Sequence, residues 1–346
     1  MQVEAGPLPH PGPDEVLVRV AGCGVCHTDL GFFYEGIRTM HPCPLTLGHE
    51  ISGLVEQAGQ DCKSWIGKAV IVPAVLPCGD CELCRKGRGT ICRQQKMPGN
   101  HIDGGFASHV VVPGRYLCPV DLQDETGTFG NSGLGLRELS VVADAVTTPF
   151  QAVKNSGLEK GGLAIFVGVG GIGGFGVQVA RAVGASVVAI DLDEQRLQMA
   201  SECGAGLTIN PSGLDKKEVR GQVREFVSEK SLSPYEWKIF ETSGSRAGQQ
   251  LAFGLLTFGA TLSVVGFTME SLELRFSNLM AFDACAIGNW GCHPDHYPAA
   301  LELVREGKVQ LKKFVKTFPL SEINSVFEQV HDRELVRRPV LVPDFD

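Results

Sequence analysis

The stretch that most constrains the chain is Gly162-Leu-Ala-Ile-Phe-Val-Gly168-Val-Gly170-Gly171-Ile172-Gly173-Gly174. Leu163 to Val167 is a short apolar run and reads as a buried parallel strand. The glycines make a tight turn, and Phe175 to Val183 follows with helix-like apolar spacing. A β-rich run, Ala185 to Asp191, closes a βαβ unit. Gly168-x-Gly170-x-x-Gly173 therefore stands between strand and helix, where a dinucleotide fingerprint belongs. Gly168 permits the turn, Gly170 lets backbone approach a pyrophosphate, and Gly173 lets helix and strand pack closely. The helix N-terminus turns unpaired N–H groups and its positive dipole end toward the phosphates. Asp191 ends the second strand about 20 residues on, where a carboxylate accepts the ribose hydroxyls of NAD and repels the 2′-phosphate of NADP. A plain glycine-rich turn would leave that acidic strand end unexplained.

At 346 residues the chain has room for two domains, and its 43% hydrophobic content supports substantial cores. A net charge of −8 argues against a nucleic-acid surface. There is no apolar run of roughly 18 residues, so no membrane span is expected. The first residues have neither a basic start nor an apolar core, so no signal peptide is read, and the expected location is cytoplasmic. Twelve cysteines in such a chain point to metal ligands and free thiols, not a disulfide framework.

Val16 to Ala21 reads as a strand, followed by Gly22-Cys23-Gly-Val-Cys26-His27-Thr28-Asp29. Further on, Leu45-Thr-Leu-Gly48-His49-Glu50 leads into another apolar strand. Cys26 and His49, thiolate and imidazole, are ligand types that a catalytic zinc takes, although either alone can be a core residue. Cys78-x2-Cys81-x2-Cys84-x7-Cys92 is more specific. Four thiolates on one loop, residues 78–92, can close a tetrahedral zinc site with no open position. The alternatives are an iron–sulfur cluster or core thiols; the seven-residue gap and the nearby Cys/His pair favour zinc.

Together, GCGVCHTD, GHE, the four-cysteine loop, Gly104-Gly-Phe-Ala-Ser108 and GVGGIG resemble the zinc-containing medium-chain alcohol dehydrogenases, in order and over essentially the whole chain. AGCGVCHTDLGFFYEG, PLTLGHEISG, KAVIVPAVLPCG, VVADAVTTPFQAV and NLMAFDACAIGNWGC resemble more narrowly the branch that oxidises 6-hydroxycyclohex-1-ene-1-carbonyl-CoA in anaerobic benzoyl-CoA breakdown. The resemblance implies an α/β protein with a GroES-like catalytic domain at 1–148, a Rossmann domain at 149–289 and a catalytic return at 290–346. It implies NAD, two zinc ions per chain, a homodimer or homotetramer, and a CoA-thioester substrate. Relatives open with a strand before the Pro-rich segment; few residues precede Pro7 here, so that edge strand is expected to be missing.

The resemblance also assigns residues. The third catalytic ligand is a Cys in many relatives, but the junction here reads Val142-Ala-Asp144-Ala-Val-Thr-Thr148. Some bacterial relatives place an Asp there, which points to Asp144; the plain alternative is a helix cap. Glu50 becomes a supporting carboxylate or exchange ligand. Thr28 takes the substrate hydroxyl proton, and His27 lies near the cofactor pyrophosphate. Gly31 stands where relatives with a proton relay carry His. Gly168, Gly170, Gly171, Ile172, Gly173, Asp191, Arg196, Thr242, Val265, Gly266 and Arg338 are the expected cofactor contacts. Leu272 to Met280 alternates like an edge strand, and such edges pair between subunits in the family. The polar loop 124–135 reads as a surface insertion. Arg38, His41, Arg88 and Arg115 are candidate cations for CoA phosphates. Other readings are a zinc-free quinone reductase, a polyol or amino-alcohol dehydrogenase, and a non-enzymatic binding protein on the same fold. Intact zinc and glycine motifs disfavour the first and last.

Overall fold

The structure is a computed structural model that describes residues 1–2, 4–122, 127–130 and 133–345. Of loop 124–135, residues 124–126 and 131–132 lie outside the described residues, so the expectation for that loop stays with the sequence. The chain divides into two compact units: Met1–Thr147 with Gly291–Gly307 and Leu311–Asp346, and Thr148–Trp290 with Lys308–Gln310.

The first unit begins with β1 (Glu15–Gly24), β2 (Glu50–Ala58), β3 (Ala69–Val72), β4 (His109–Pro113) and β5 (Cys118–Pro119). The second contains β6 (Leu163–Val167), β7 (Ser186–Ile190), β8 (Leu207–Ile209), β9 (Lys238–Glu241), β10 (Thr261–Val264) and β11 (Cys285–Gly288). The chain then returns to the first unit with β12 (Val315–Pro319) and β13 (Arg338–Val342).

In the first unit the sheet runs β12-β13-β1-β2-β3-β5, with β4 also on β1. β1 pairs antiparallel with β2, β4 and β13. Its register slips at Leu17/Val18 and at Val20/Gly22. Such bulges re-aim a strand end, and β1 ends beside Cys26. Val16, Val18, Val20, Ile51, Val70 and Val112 fill the core between these strands.

The second unit is a parallel sheet in the order β11-β10-β9-β6-β7-β8. Strand order reverses between β6 and β9, and the crevice outside their carboxyl ends is where such sheets bind dinucleotides. All five residues of β6 are buried, as a strand covered on both faces requires.

One expected strand is corrected. Leu272–Met280 is not the sheet edge: Ser277–Phe282 is a short helix, and β11 pairs with β10 instead, Thr261 opposite Cys285. β10 had one open side and β11 fills it. Leu274, Leu279 and Phe282 pack partly against the core, so the alternation recorded burial under a loop and helix.

Candidate metal centres and cofactor crevice

Cys26 immediately precedes the helix His27–Tyr34, and His49 and Glu50 stand where β2 begins. Asp144 follows the 3-10 turn Glu138–Ala143. The fold brings one ligand atom from each of Cys26, His49, Glu50 and Asp144 within 4.8 Å of the others. Asp144 Oδ2 lies 3.7 Å from Cys26 Sγ and 3.6 Å from His49 Nε2. Donors at zinc bonding distances of about 2.0–2.3 Å stand roughly 3.4–3.7 Å apart around a tetrahedral ion, so this set fits zinc.

Asp29, fully buried, was not read from the sequence. Its Oδ1 lies 3.1 Å from His49 Nδ1, and its Oδ2 accepts the Cys26 N–H at 3.0 Å. That contact favours the proton on Nδ1 and leaves Nε2 to face Asp144, the arrangement a metal-bound imidazole needs. Burial opposes charge on His49, but Asp29 and Asp144 outweigh it and raise its pKa well above the ordinary value. Thr28 Oγ1 lies 3.6 Å from Cys26 Sγ, at the same site.

Glu50 and Arg338 form a second unforeseen pair, 288 positions apart. Both Arg338 Nε, at 2.8 Å, and Nη2 donate to the Glu50 carboxylate, and both side chains are buried. Burial pushes the Glu50 carboxyl above its usual range against the pull of Arg338. The pair gives Arg338 a fixed partner in the first unit besides its expected cofactor contact, and it orients Glu50 beside the donor set. His27 is exposed at the start of the helix.

The second cluster is Cys78, Cys81, Cys84 and Cys92. Four sulfur–sulfur contacts define it: Cys81–Cys84 and Cys78–Cys92 stand at 3.5 Å, Cys81–Cys92 at 3.7 Å and Cys78–Cys84 at 3.9 Å. Four sulfurs about 2.3 Å from a zinc lie about 3.8 Å apart, so the spacing fits that ion and excludes disulfides. The amides of Cys78 and Gln94 point at Cys92 Sγ, at 3.4 and 3.3 Å, as thiolate sulfurs require. Arg115 donates to the Cys78 carbonyl and lies over the Tyr116 ring, so it braces this loop.

In the second unit, the helix Gly173–Val183 follows the glycine turn. Gly168 has φ +90°, and a Cβ there would lie 2.5 Å from Ser243 Cα. A Cβ on Gly173 would lie 1.9 Å from the Gly168 carbonyl oxygen. Gly170 differs: the nearest atom to its Cβ would be Arg196 Nη1 at 3.5 Å, an ordinary contact, so the protein itself does not demand glycine there. Asp191 Oδ2 accepts the Val169 N–H at 2.7 Å and Oδ1 the Asp193 N–H at 3.0 Å, which ties the acidic strand end to the glycine loop. Thr242 Oγ1 donates to Gly168 O at 2.5 Å. Val265 and Gly266 both donate their N–H to Glu241 O at 2.9 Å. Gly171 and Ile172 complete the turn before the helix.

The alcohol dehydrogenase GroES-like domain family matches residues 12–122, and the zinc-binding dehydrogenase family matches residues 171–306. An alcohol dehydrogenase of Geobacillus stearothermophilus is 30% identical over 330 residues, covering 94% of this chain and 91% of the relative. The chain belongs to the zinc-containing medium-chain alcohol dehydrogenases. A second alcohol dehydrogenase of that organism is 29% identical over 346 residues, 99% of this chain and 96% of the relative. Among solved structures, galactitol-1-phosphate dehydrogenase from Escherichia coli superposes with a TM-score of 0.85 at 26% identity, covering 99% of this chain and 96% of that one. An alcohol dehydrogenase from Aeropyrum pernix gives 0.83 at 28%, with the same coverage. As a family member the chain is an oxidoreductase that uses NAD and zinc. No helix among the described residues is long and apolar enough to cross a membrane.

Proposed function

We propose that this dehydrogenase oxidises the allylic alcohol of 6-hydroxycyclohex-1-ene-1-carbonyl-CoA to the conjugated 6-oxo enone. The chemistry rests on one observation, the buried Cys26, His49 and Asp144 donor set with a hydroxyl beside it. The substrate choice rests on the five sequence stretches that resemble the branch acting on that thioester. Zinc at the donor set would polarise the alcohol oxygen and ease loss of its proton, while NAD would take the hydride.

Around that chemistry the chain's own residues have separate tasks. Thr28 Oγ1 would relay the hydroxyl proton, accepting it while giving up its own proton toward the cofactor ribose. Asp29 keeps the His49 ring oriented, and Arg338 fixes the Glu50 carboxylate within the donor cluster. Thiolate and carboxylate ligands, with neutral imidazole, balance the charge of a divalent ion. In the second unit Asp191 accepts ribose hydroxyls and disfavours a 2′-phosphate, Arg196 faces the adenosine side, and the glycine turn receives the pyrophosphate. Conjugation of the new carbonyl with the ring alkene offsets part of the cost of oxidation. Arg38, His41 and Arg88 are exposed and available to CoA phosphates. We place the enzyme in the cytoplasm as a homodimer or homotetramer, with β11 at one of the two edges of the second sheet.

Similarity to galactitol-1-phosphate dehydrogenase favours a second reading, oxidation of a small secondary alcohol or polyol. NADH formation with the thioester, free cyclohexenol and a polyol separates the two. Rapid reduction with the thioester alone supports the first reading; activity only on the simpler alcohols overturns it and leaves the zinc dehydrogenase standing.

A further inference from the structure

Glu241 ends β9 and is 1% exposed, yet it is neither an expected cofactor contact nor a metal donor. Its Oε1 accepts three hydrogen bonds from the turn that follows: Ser243 N at 2.8 Å, Ser243 Oγ at 2.6 Å and Gly244 N at 3.0 Å. Its Oε2 is buried and makes no hydrogen bond of good geometry among the described residues, although the Gln249 side chain pulls the carboxyl pKa down. Burial raises the carboxyl's pKa, against the pull of the Ser243 and Gly244 donors. Its main-chain carbonyl takes the amides of Val265 and Gly266. One residue thus holds the turn after β9 by its side chain and the loop after β10 by its backbone.

Both segments press on the glycine loop or on each other with no spare room. Ser243 Cα is the atom that a Cβ on Gly168 would strike, and Thr242 Oγ1 is bonded to Gly168 O. A Cβ on Gly266 would lie 2.3 Å from Gly244 N and 2.8 Å from Glu241 Oε2. Ser243 Oγ continues to Ser245 Oγ at 3.0 Å, which caps Gly248 N at 3.1 Å at the start of the next helix, Arg246–Gly254. Without the carboxylate, the Ser243 and Gly244 amides lose their acceptor, the Ser243 hydroxyl is left with Ser245 Oγ, and the turn is held to the glycine loop by the Thr242 bonds to Val167 and Gly168.

We propose that Glu241 is a positioning residue that holds the turn 242–244 against the glycine loop and so presets the dinucleotide crevice. A neutral side chain with an oxygen in the same place should serve nearly as well, because the role needs an acceptor more than a charge. The inference rests on NAD binding in the second unit and not on the identity of the alcohol.

The test is NADH affinity by fluorescence titration of the zinc-loaded protein, with steady-state constants alongside. Glu241→Ala should weaken NADH binding roughly tenfold or more. It should raise KM for NAD while leaving kcat at saturating NAD and the KM for alcohol within about threefold of the parent. Glu241→Gln should restore NADH affinity to within about threefold of the parent. If Glu241→Ala does not fold, Ser243→Ala replaces it: loss of affinity there, with Glu241→Gln near the parent, supports the clamp. Unchanged NADH affinity in Glu241→Ala, or in Ser243→Ala where that is used, overturns it. So does a loss in Glu241→Gln as large as in Glu241→Ala, or a lowered urea midpoint with unaltered KM for NAD. Failure of the parent itself to bind NADH would instead overturn the cofactor assignment.

Discussion

Asp29→Asn should weaken the catalytic metal centre without touching the cysteine loop. Asp29 is wholly buried, and its two oxygens serve two different partners, His49 Nδ1 at 3.1 Å and Cys26 N at 3.0 Å. Asn has one acceptor oxygen, and its amide nitrogen can only donate. Whichever way it turns, one donor faces another donor and one of the two bonds is lost. A hydrogen bond to a charged group contributes about 1.5–3 kcal/mol. Changes to the outer partners of metal ligands cost about 10–100-fold in affinity, or about 1.4–2.7 kcal/mol at 1.36 kcal/mol per decade. The two scales agree, so zinc affinity at this site should fall by about one to two decades. Competition against a chromophoric zinc chelator measures it, with the four-cysteine site as an internal reference. Catalytic-site affinity within twofold of the parent would refute the view that Asp29 organises the donors.

Gly173→Ala places a Cβ 1.9 Å from Gly168 O and 2.7 Å from Thr242 Oγ1, so helix and strand must move apart. It should cost about 1–3 kcal/mol of stability and weaken NADH binding, with zinc content unchanged; calorimetry, fluorescence titration and elemental analysis check the three. Burial pushes the Cys118 thiol up to about 12 from 9.0. Below the lower value both states keep the proton. Above it only the unfolded chain loses it, so this group's stabilisation is lost as pH rises toward 12. Cys118→Ala should flatten the fall of urea-unfolding stability above about pH 9 by about 1.4 kcal/mol per pH unit.

Features written in contiguous residues were legible. β6 matches the apolar run Leu163–Val167 because a fully buried strand needs five apolar residues in a row. The cysteine loop carries its four ligands within fifteen positions of one another, so spacing alone announced it. Cys26, His49 and Asp144 are far apart in sequence; the structure brings them together, but only resemblance singled out Asp144. Asp29 escaped notice because a short acidic residue at the start of a helix looks like ordinary capping, and its partner His49 lies twenty positions on. The Glu50–Arg338 pair spans 288 positions and leaves no local trace. Leu272–Met280 misled because partial burial under a loop and helix can mimic the period of a strand.

The most direct test is the zinc content of the parent and of Asp144→Ala after exhaustive dialysis. The parent should hold two zinc ions per chain, one for each donor cluster, and Asp144→Ala one, retained by Cys78, Cys81, Cys84 and Cys92. Two zinc ions retained by Asp144→Ala at undiminished affinity would contradict the assignment of Asp144 as the third catalytic donor.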